Sequence, residues 1–419
     1  MKQIWLILLI FPFVLHAQTA SVTIEACLGT AIAKWPGSRT AANAIESGQL
    51  KQRNAGNSWY PQIYMGGQAS WQSDVTEVSL PIPNLNLPDI PQDQYKIYLD
   101  VNQVLYDGGI SSSRKKMEIV SANSDSLQSV IDSRKIKEMV IDLYCNIIYF
   151  RKVKEVSTTQ MKRLNKRLEM LKSSQTNGVV SGTDYLMFTA EVKKAEQLLN
   201  EAEMTEMSLL KSLSILTGMS LDSNTILTLP SAETGLSSEL NRPEFNWFTL
   251  QNEYISISQQ ASGKTLRPRL SAFAQGGYGR PALNMFSTEF DTYLMAGVRL
   301  NWNLYDWGQS KREKQILEIR KKNITIAEEN LRQNIDIQIS QQEMEIEKLK
   351  KQIKTDNEII EIYSTVLQNS AVALEQGIIT PVDYLEKETL LKVAETDKAR
   401  NEARYIKAFT AFRFIKGEI

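Results

Sequence analysis

Histidine is almost missing from this chain. The 419 residues contain one, His16, and it lies near the start. The rest of the chain therefore cannot run histidine acid–base chemistry or build a histidine-ligated metal site. Cysteine is nearly as scarce, with Cys27 and Cys145 alone. Cys27 comes twelve residues after the first apolar run and follows the acidic Glu25, which excludes a lipoprotein cysteine. Cys145 falls on an apolar face and reads as core. The two occupy different elements, which argues against a bridge, although spacing alone leaves pairing open. Net charge is also absent: 48 basic residues balance 48 acidic ones. No basic stripe offers itself to nucleic acid. No GxxxxGK[ST] motif occurs, so no nucleotide cofactor is expected. Nothing supports an enzyme.

Long apolar runs are missing too. The first residues, MKQIWLILLIFPFVLHAQ, carry Lys2, an apolar stretch from Ile4 to Leu15, and Ala17 at a cleavage-like position. Residues 1–17 read as a secretory signal peptide; an uncleaved anchor would need a longer run than one broken by Pro12. Past residue 17 no apolar run approaches eighteen residues, so no transmembrane helix is expected. If the chain spans a membrane, it must do so with strands.

Glycine and proline are absent from two long windows. No glycine occurs between Gly109 and Gly178, or between Gly308 and Gly377, and each window holds 68 residues. No proline occurs between Pro91 and Pro230, or between Pro281 and Pro381. Windows this rich in Lys, Glu, Ile, Leu and Gln predict uninterrupted helices of about 100 Å. The second window carries a heptad seam: Ile346, Leu349, Ile353, Ile360, Tyr363, Leu367 and Leu374, interrupted by Asp356 and Ser370. The first carries Ile147, Phe150, Met161, Leu164, Leu168 and Leu171, interrupted by Lys154 and Ser157.

The windows belong to an internal repeat. Gly109, Gly178, Asp184, Tyr185, Leu186 and Gly218 each reappear 199 positions later, as Gly308, Gly377, Asp383, Tyr384, Leu385 and Gly417. Upstream, Pro36 pairs with Pro243 and Pro61 with Pro268, both at 207. The eight-residue difference lies between Pro61 and Leu105, in a loop containing four prolines from residue 79 to Pro91. Loop tips tolerate such insertions. The duplication predicts one domain, residues 18–419, made of repeat one (18–229) and repeat two (230–419).

Each long helix should end in a compact turn. Gly178 and Gly377 suit the left-handed position just past a helix, Ser181 and Thr380 suit N-caps, and Pro381 suits the first helical position. Return helices of roughly 35 residues then run to about Thr217 and Phe414. Segments from Pro36 to Tyr60 and from Pro243 to about Leu266 read as shorter helices that would extend the return arms. Between these lie alternating strands of about ten residues. Ile97, Leu99 and Val101 alternate with Lys96, Tyr98, Asp100 and Asn102; Val298, Leu300, Trp302 and Leu304 alternate with Arg299, Asn301 and Asn303. Partner strands follow Pro61 (Ile63, Met65) and Pro268 (Leu270, Ala272, Ala274). Ten tilted residues cross a bilayer, and Trp71, Tyr98, Tyr293 and Trp302 are candidates for interfacial girdles. Four strands cannot close a barrel in lipid, so a spanning chain must oligomerise. Three copies would supply twelve strands, though the arithmetic does not by itself choose three.

In order and spacing these features resemble the TolC family of outer-membrane efflux proteins. The opening Thr23-Ile-Glu-Ala-Cys-Leu-Gly-Thr-Ala-Ile then Pro36, the junctions Leu105-Tyr-Asp-Gly-Gly109 and Leu304-Tyr-Asp-Trp-Gly308, and the tips Gly178 to Leu186 and Gly377 to Leu385 carry the likeness. It implies a mixed fold of membrane β-barrel and long α-helical coiled coil. Each of two tandem repeats would contribute a β-hairpin and a helical hairpin. A homotrimer would form a twelve-stranded barrel in outer-membrane lipid, continuous with a periplasmic α-helical tunnel. It further implies a passive exit duct of a tripartite efflux or type I secretion system, with a periplasmic adaptor and an inner-membrane pump as partners. By the same resemblance the tips around Gly178, Ser181, Gly377 and Thr380 meet the adaptor, and Asp383, Glu386 and Asp184 ring the gate. Asp383 also suits a helix N-terminus for dipole reasons alone. Met187 replaces the second acid in the first copy, and Ile379 stands where a latching basic residue is expected, which leaves closure to apolar packing. Two other readings remain: a periplasm-spanning coiled-coil tether without transport, which the alternating strands disfavour, and an adaptor subunit, which would carry one helical hairpin between β-domains rather than two.

Overall fold

A computed structural model describes residues 21–75, 91–178, 180–229, 240–284 and 287–419. The signal-peptide residues and most of the four-proline loop lie outside the described residues. The chain separates into two compact units. One comprises the described residues of 1–38, 132–242 and 333–419; the other comprises those of 39–131 and 243–332.

The second unit holds the sheet. Strands β1 (Gln62–Trp71), β2 (Asp93–Tyr106), β3 (Arg269–Arg280) and β4 (Asp291–Asn301) pair antiparallel in that order, so β1 and β4 are open edges. Pairing of β2 with β3 joins the two expected hairpins into one sheet. Register sorts the faces. One row runs Ile63, Val101, Ala274, Ala296, and the next runs Met65, Leu99, Gly276, Leu294. The opposite face carries the row Tyr64, Asp100, Gln275, Met295. Period-two alternation thus gives one apolar and one largely polar face. The apolar face is uncovered: Met65 and Leu294 are each 75% exposed.

Register corrects two of the four girdle assignments. Tyr98 pairs with Gly66 and Gly277, and Gly277 with Tyr293, so both tyrosines lie on the polar face. A Cβ on Gly66 would meet the Tyr98 ring at 2.6 Å, and one on Gly277 the Tyr293 ring at 2.7 Å. The glycines leave room for each ring to lie across its neighbouring strand, away from the apolar side. Trp71 keeps the apolar parity, opposite Asp93.

Helices α2 (Ser38–Gly56) and α5 (Pro243–Lys264) pack in the same unit against the near part of α3 (Ile110–Thr176). Small residues permit this. A Cβ on Gly48 would meet the Ala122 Cβ at 2.2 Å, Thr40 bonds Ser129 at 2.9 Å, and Gln251 donates to Ser124 at 2.8 Å. The last long helix, α6 (Gln309–Glu375), begins here as well. Both α3 and α6 contain 67 residues and fill the glycine-free windows.

The first unit contains α1 (Ile24–Lys34), the far parts of α3 and α6, and the return helices α4 (Gly182–Thr217) and α7 (Pro381–Lys416), of 36 residues each. One core gathers Ile24, Cys27, Leu28, Val140, Tyr144, Cys145, Ile147 and Leu213. Both cysteines are free and buried there. Burial pushes their thiols up, to about 11 for Cys27 and about 12 for Cys145, which keeps them protonated and unreactive at neutral pH. Tyr144 is fully buried and its hydroxyl lies 2.8 Å from the Val22 carbonyl and 2.6 Å from that of Thr228. It thereby ties α3 to the two extended segments that bridge at Val22 and Leu227.

The heptad seam is the buried line of α6: Leu349 and Leu367 are buried and the other seam residues half-buried. One polar break in each seam, Asp356 of α6 and Lys154 of α3, has a charged or polar partner on another helix. Asn401 of α7 donates to Asp356 at 2.7 Å, and Lys154 of α3 pairs with Glu206 of α4 at 2.6 Å.

Candidate gate and hairpin tips

The two helical hairpins share one core near their turns. Leu164 and Leu171 of α3, Phe188 and Val192 of α4, Leu367 and Ala371 of α6, and Tyr384 and Leu391 of α7 are buried together. The Phe188 and Tyr384 rings stack at 6.4 Å. Within each hairpin the turn is made locally. Gly178 and Gly377 adopt φ of 72° and 70°, a left-handed conformation that suits glycine. Ser181 caps α4 by accepting from the Asp184 N–H at 3.1 Å. Thr380 caps α7, Pro381 follows it, and Asp383 completes a capping box.

That box engages Asp383. Its carboxylate accepts from the Thr380 hydroxyl at 2.7 Å and the Thr380 N–H at 2.9 Å. These bonds hold its carboxyl below the ordinary value. Asp383 is therefore first a helix-starting residue, with an exposed charge left over. Glu386 is also exposed, with Lys387 at 3.2 Å. Asp184 is half-buried. A cavity of about 320 Å³ between the turns brings together Ser181, Asp184, Gly377 and Thr380 with Arg167 and Ile378. Gly178, Asp383 and Glu386 do not line it. Ile379 packs against the shared core, as its apolar character requires.

Near the turns, the basic residues that join the hairpins lie on α3 instead of at the second turn. Arg163 reaches Glu388 at 2.9 Å and Glu395 at 3.1 Å on α7. Arg167 pairs with Glu375 of α6, and its guanidinium lies over the Tyr384 ring at 5.6 Å. Lys152 pairs with Glu402 of α7. Sequence reasoning missed this ladder, although a signal was present: Glu388, Glu395 and Glu402 recur every seven residues. Their partners on α3 follow no such period.

Two buried carboxylates in this unit behave oppositely. Burial would raise Glu206, but Arg151 at 2.8 Å and Lys154 at 2.6 Å outweigh it and hold the carboxyl below its ordinary value. Glu388 is 1% exposed, and burial raises it despite Arg163, which it shares with the nearby Glu395. Its second oxygen has no hydrogen-bond partner. Nothing in this geometry assembles a metal cluster among the described residues.

No protein-family model matches the chain, and no curated protein does. Solved structures do. The outer membrane protein VceC from Vibrio cholerae superposes with a TM-score of 0.69 at 15% identity, covering 94% of this chain and 96% of that one. The CmeC outer membrane channel of Campylobacter jejuni gives 0.68 at 14% identity, covering 94% and 85%. The open state of the Neisseria gonorrhoeae MtrE outer membrane channel gives 0.69 at 14% identity, covering 94% and 88%. The chain thus shares the fold of these solved outer-membrane channels, consistent with its resemblance to the TolC family.

Proposed function

We propose that this protein is a passive outer-membrane exit duct of a tripartite efflux or type I secretion system. The observation that carries this reading is the sheet. Its strands have bilayer length, one face is apolar and uncovered, and both edges are open. An edge in lipid leaves backbone groups unpaired, so copies of the chain must pair with each other to close it. Three copies give twelve strands, and a homotrimer is the assembly of the resemblance. The equal lengths of α3 and α6, and of α4 and α7, support two tandem repeats reaching one depth to build a periplasmic tunnel. The outer-membrane channels of the same fold support the location. An inner-membrane pump would supply the energy through an adaptor docked at the turns of Gly178, Ser181, Gly377 and Thr380. A tether would have no use for an exposed apolar sheet.

At the turns, three chains would bring Asp383, Glu386 and Asp184 around one constriction and favour cations. Reconstitution in planar bilayers tests the duct: trimer-containing preparations should give pore currents with cation preference, and their absence would remove the reading. Glu386→Gln is the cleaner gate variant, because Asp383 also caps α7. It should lower cation preference and block by multivalent cations, whereas unchanged currents would place Glu386 away from the constriction.

A further inference from the structure

The two strand-to-helix junctions differ at one position. The first reads Asp107-Gly108-Gly109 and the second Asp306-Trp307-Gly308. Each aspartate accepts from two backbone N–H groups, that of the glycine before the helix (Gly109 or Gly308) and that of a serine in its first turn (Ser111 or Ser310). The residue after it is left-handed in both, with φ of 74° at Gly108 and 54° at Trp307. Among the described residues Trp307 is the one non-glycine residue with positive φ. Bulky L-residues are disfavoured there, and such strain marks a demand made elsewhere.

Packing explains the glycine. A Cβ on Gly108 would lie 2.9 Å from the Arg267 Cβ and 3.3 Å from the Lys264 carbonyl oxygen. Trp307 instead is 79% exposed, so core packing does not repay its strain. Its neighbours show what does. Trp302 and Leu304 continue the parity of the apolar sheet face (Leu294, Ala296, Val298, Leu300), and both are exposed. Tyr305, also exposed, meets the Trp307 ring edge-on at 5.1 Å. Just beyond, Lys311 and Arg312 are exposed, and Arg312 donates to the Trp307 carbonyl at 2.9 Å. Indole and phenol rings beside cations, at the end of a bilayer-length strand, match a phospholipid headgroup layer: apolar on one side, wet and anionic on the other.

We propose that the turn from Trp302 to Trp307 is a lipid anchor, with Trp307 seated among phospholipid headgroups and Lys311 and Arg312 facing their phosphates. This rests on the membrane reading of the sheet. The test reconstitutes the intact assembly in vesicles of phosphatidylethanolamine and phosphatidylglycerol. The vesicles carry a fluorescence quencher either just below the headgroup or at the acyl-chain end. Wild type should show a tryptophan component quenched by the shallow label and spared by the deep one, and Trp307→Phe should lose it. Trp307→Gly should lose the same component while raising the thermal midpoint, since glycine relieves the strained φ. Equal quenching of wild type and Trp307→Phe would overturn the anchor, as it would if Trp307 lay in water or against a neighbouring copy. Pore currents from the same preparation separate the readings. Currents without Trp307 quenching sink the anchor alone; quenching without currents sinks the duct alone.

Discussion

Replacing Arg163 with methionine should destabilise the paired helical hairpins by about 3–5 kcal/mol at neutral pH, the usual cost of stripping a buried ion of its partner. Arg163 is the direct ion-pair partner of the Glu388 carboxylate, which lies on a different hairpin and is 1% exposed. Glu395 sits on the same guanidinium and repels Glu388 once Arg163 is gone. The loss should depend on pH with a definite sign. Glu388 holds its proton more tightly in the fold than in the unfolded chain, where a glutamate titrates near 4.5. Its contribution is therefore fully present below that value and is lost as pH rises through the raised folded value. Arg163 opposes the rise, so removing it moves the folded value further up. The variant should consequently recover stability on mild acidification, and Glu388→Gln should rescue part of it at neutral pH. Thermal unfolding followed by circular dichroism across that range reads both effects. A pH-independent loss, with no rescue by Glu388→Gln, would mean that Arg163 acts through packing alone.

Placing a charge on the apolar face of the sheet should prevent membrane insertion. Leu294→Arg puts a guanidinium mid-strand in the row with Met65, Leu99 and Gly276. The cost at a bilayer midplane is about 2–4 kcal/mol for each chain, and a closed ring of copies repeats it. Met295→Arg is the matched control. It lies one residue along, on the face with Gln275 and Asp100, where a charge meets water. Vesicle-inserted protein should disappear for Leu294→Arg and persist for Met295→Arg. Equal behaviour would mean that the two faces meet the same medium.

Much of the fold was legible because punctuation in this chain is local chemistry. A glycine past a helix end, a Ser or Thr before the next one and an aspartate three residues on fix the turns at Gly178 and Gly377. They do so whatever packs around them. The seam residues were legible by period. Their polar interruptions were not, because Asp356 and Lys154 are satisfied by Asn401 and Glu206 on other helices. The ladder on Arg163 and Arg167 was hidden for the same reason: which helices face each other is decided by the shared core, and residue spacing on one helix cannot reveal it. Tyr98 and Tyr293 were misassigned to a girdle by residue type, when the parity of each strand already placed them with Asp100 and Asp291 on the polar side. Of the predicted tip residues, the fold brings Ser181, Asp184, Gly377 and Thr380 to one cavity, while Asp383 is engaged in starting α7.

In the proposed duct, β1 and β4 are edges only in the isolated chain and pair with copies of it in the membrane. Paired cysteines address this directly, one on the apolar face of β1 (Ile63, Met65 or Ala69) and one on that of β4 (Leu294, Ala296, Val298 or Leu300), because the stagger of a closed barrel displaces each row between copies. Within one chain the two strands are opposite edges of the sheet, roughly 15 Å apart at the usual strand spacing. The native Cys27 and Cys145 are buried and give no background. Treatment of the reconstituted protein with a short bismaleimide should yield, for at least one pair, crosslinked species of two and three chains and none larger. Full labelling with no product between chains for every pair would contradict closure by copies, because the sheet would then meet the membrane with its edges unpaired.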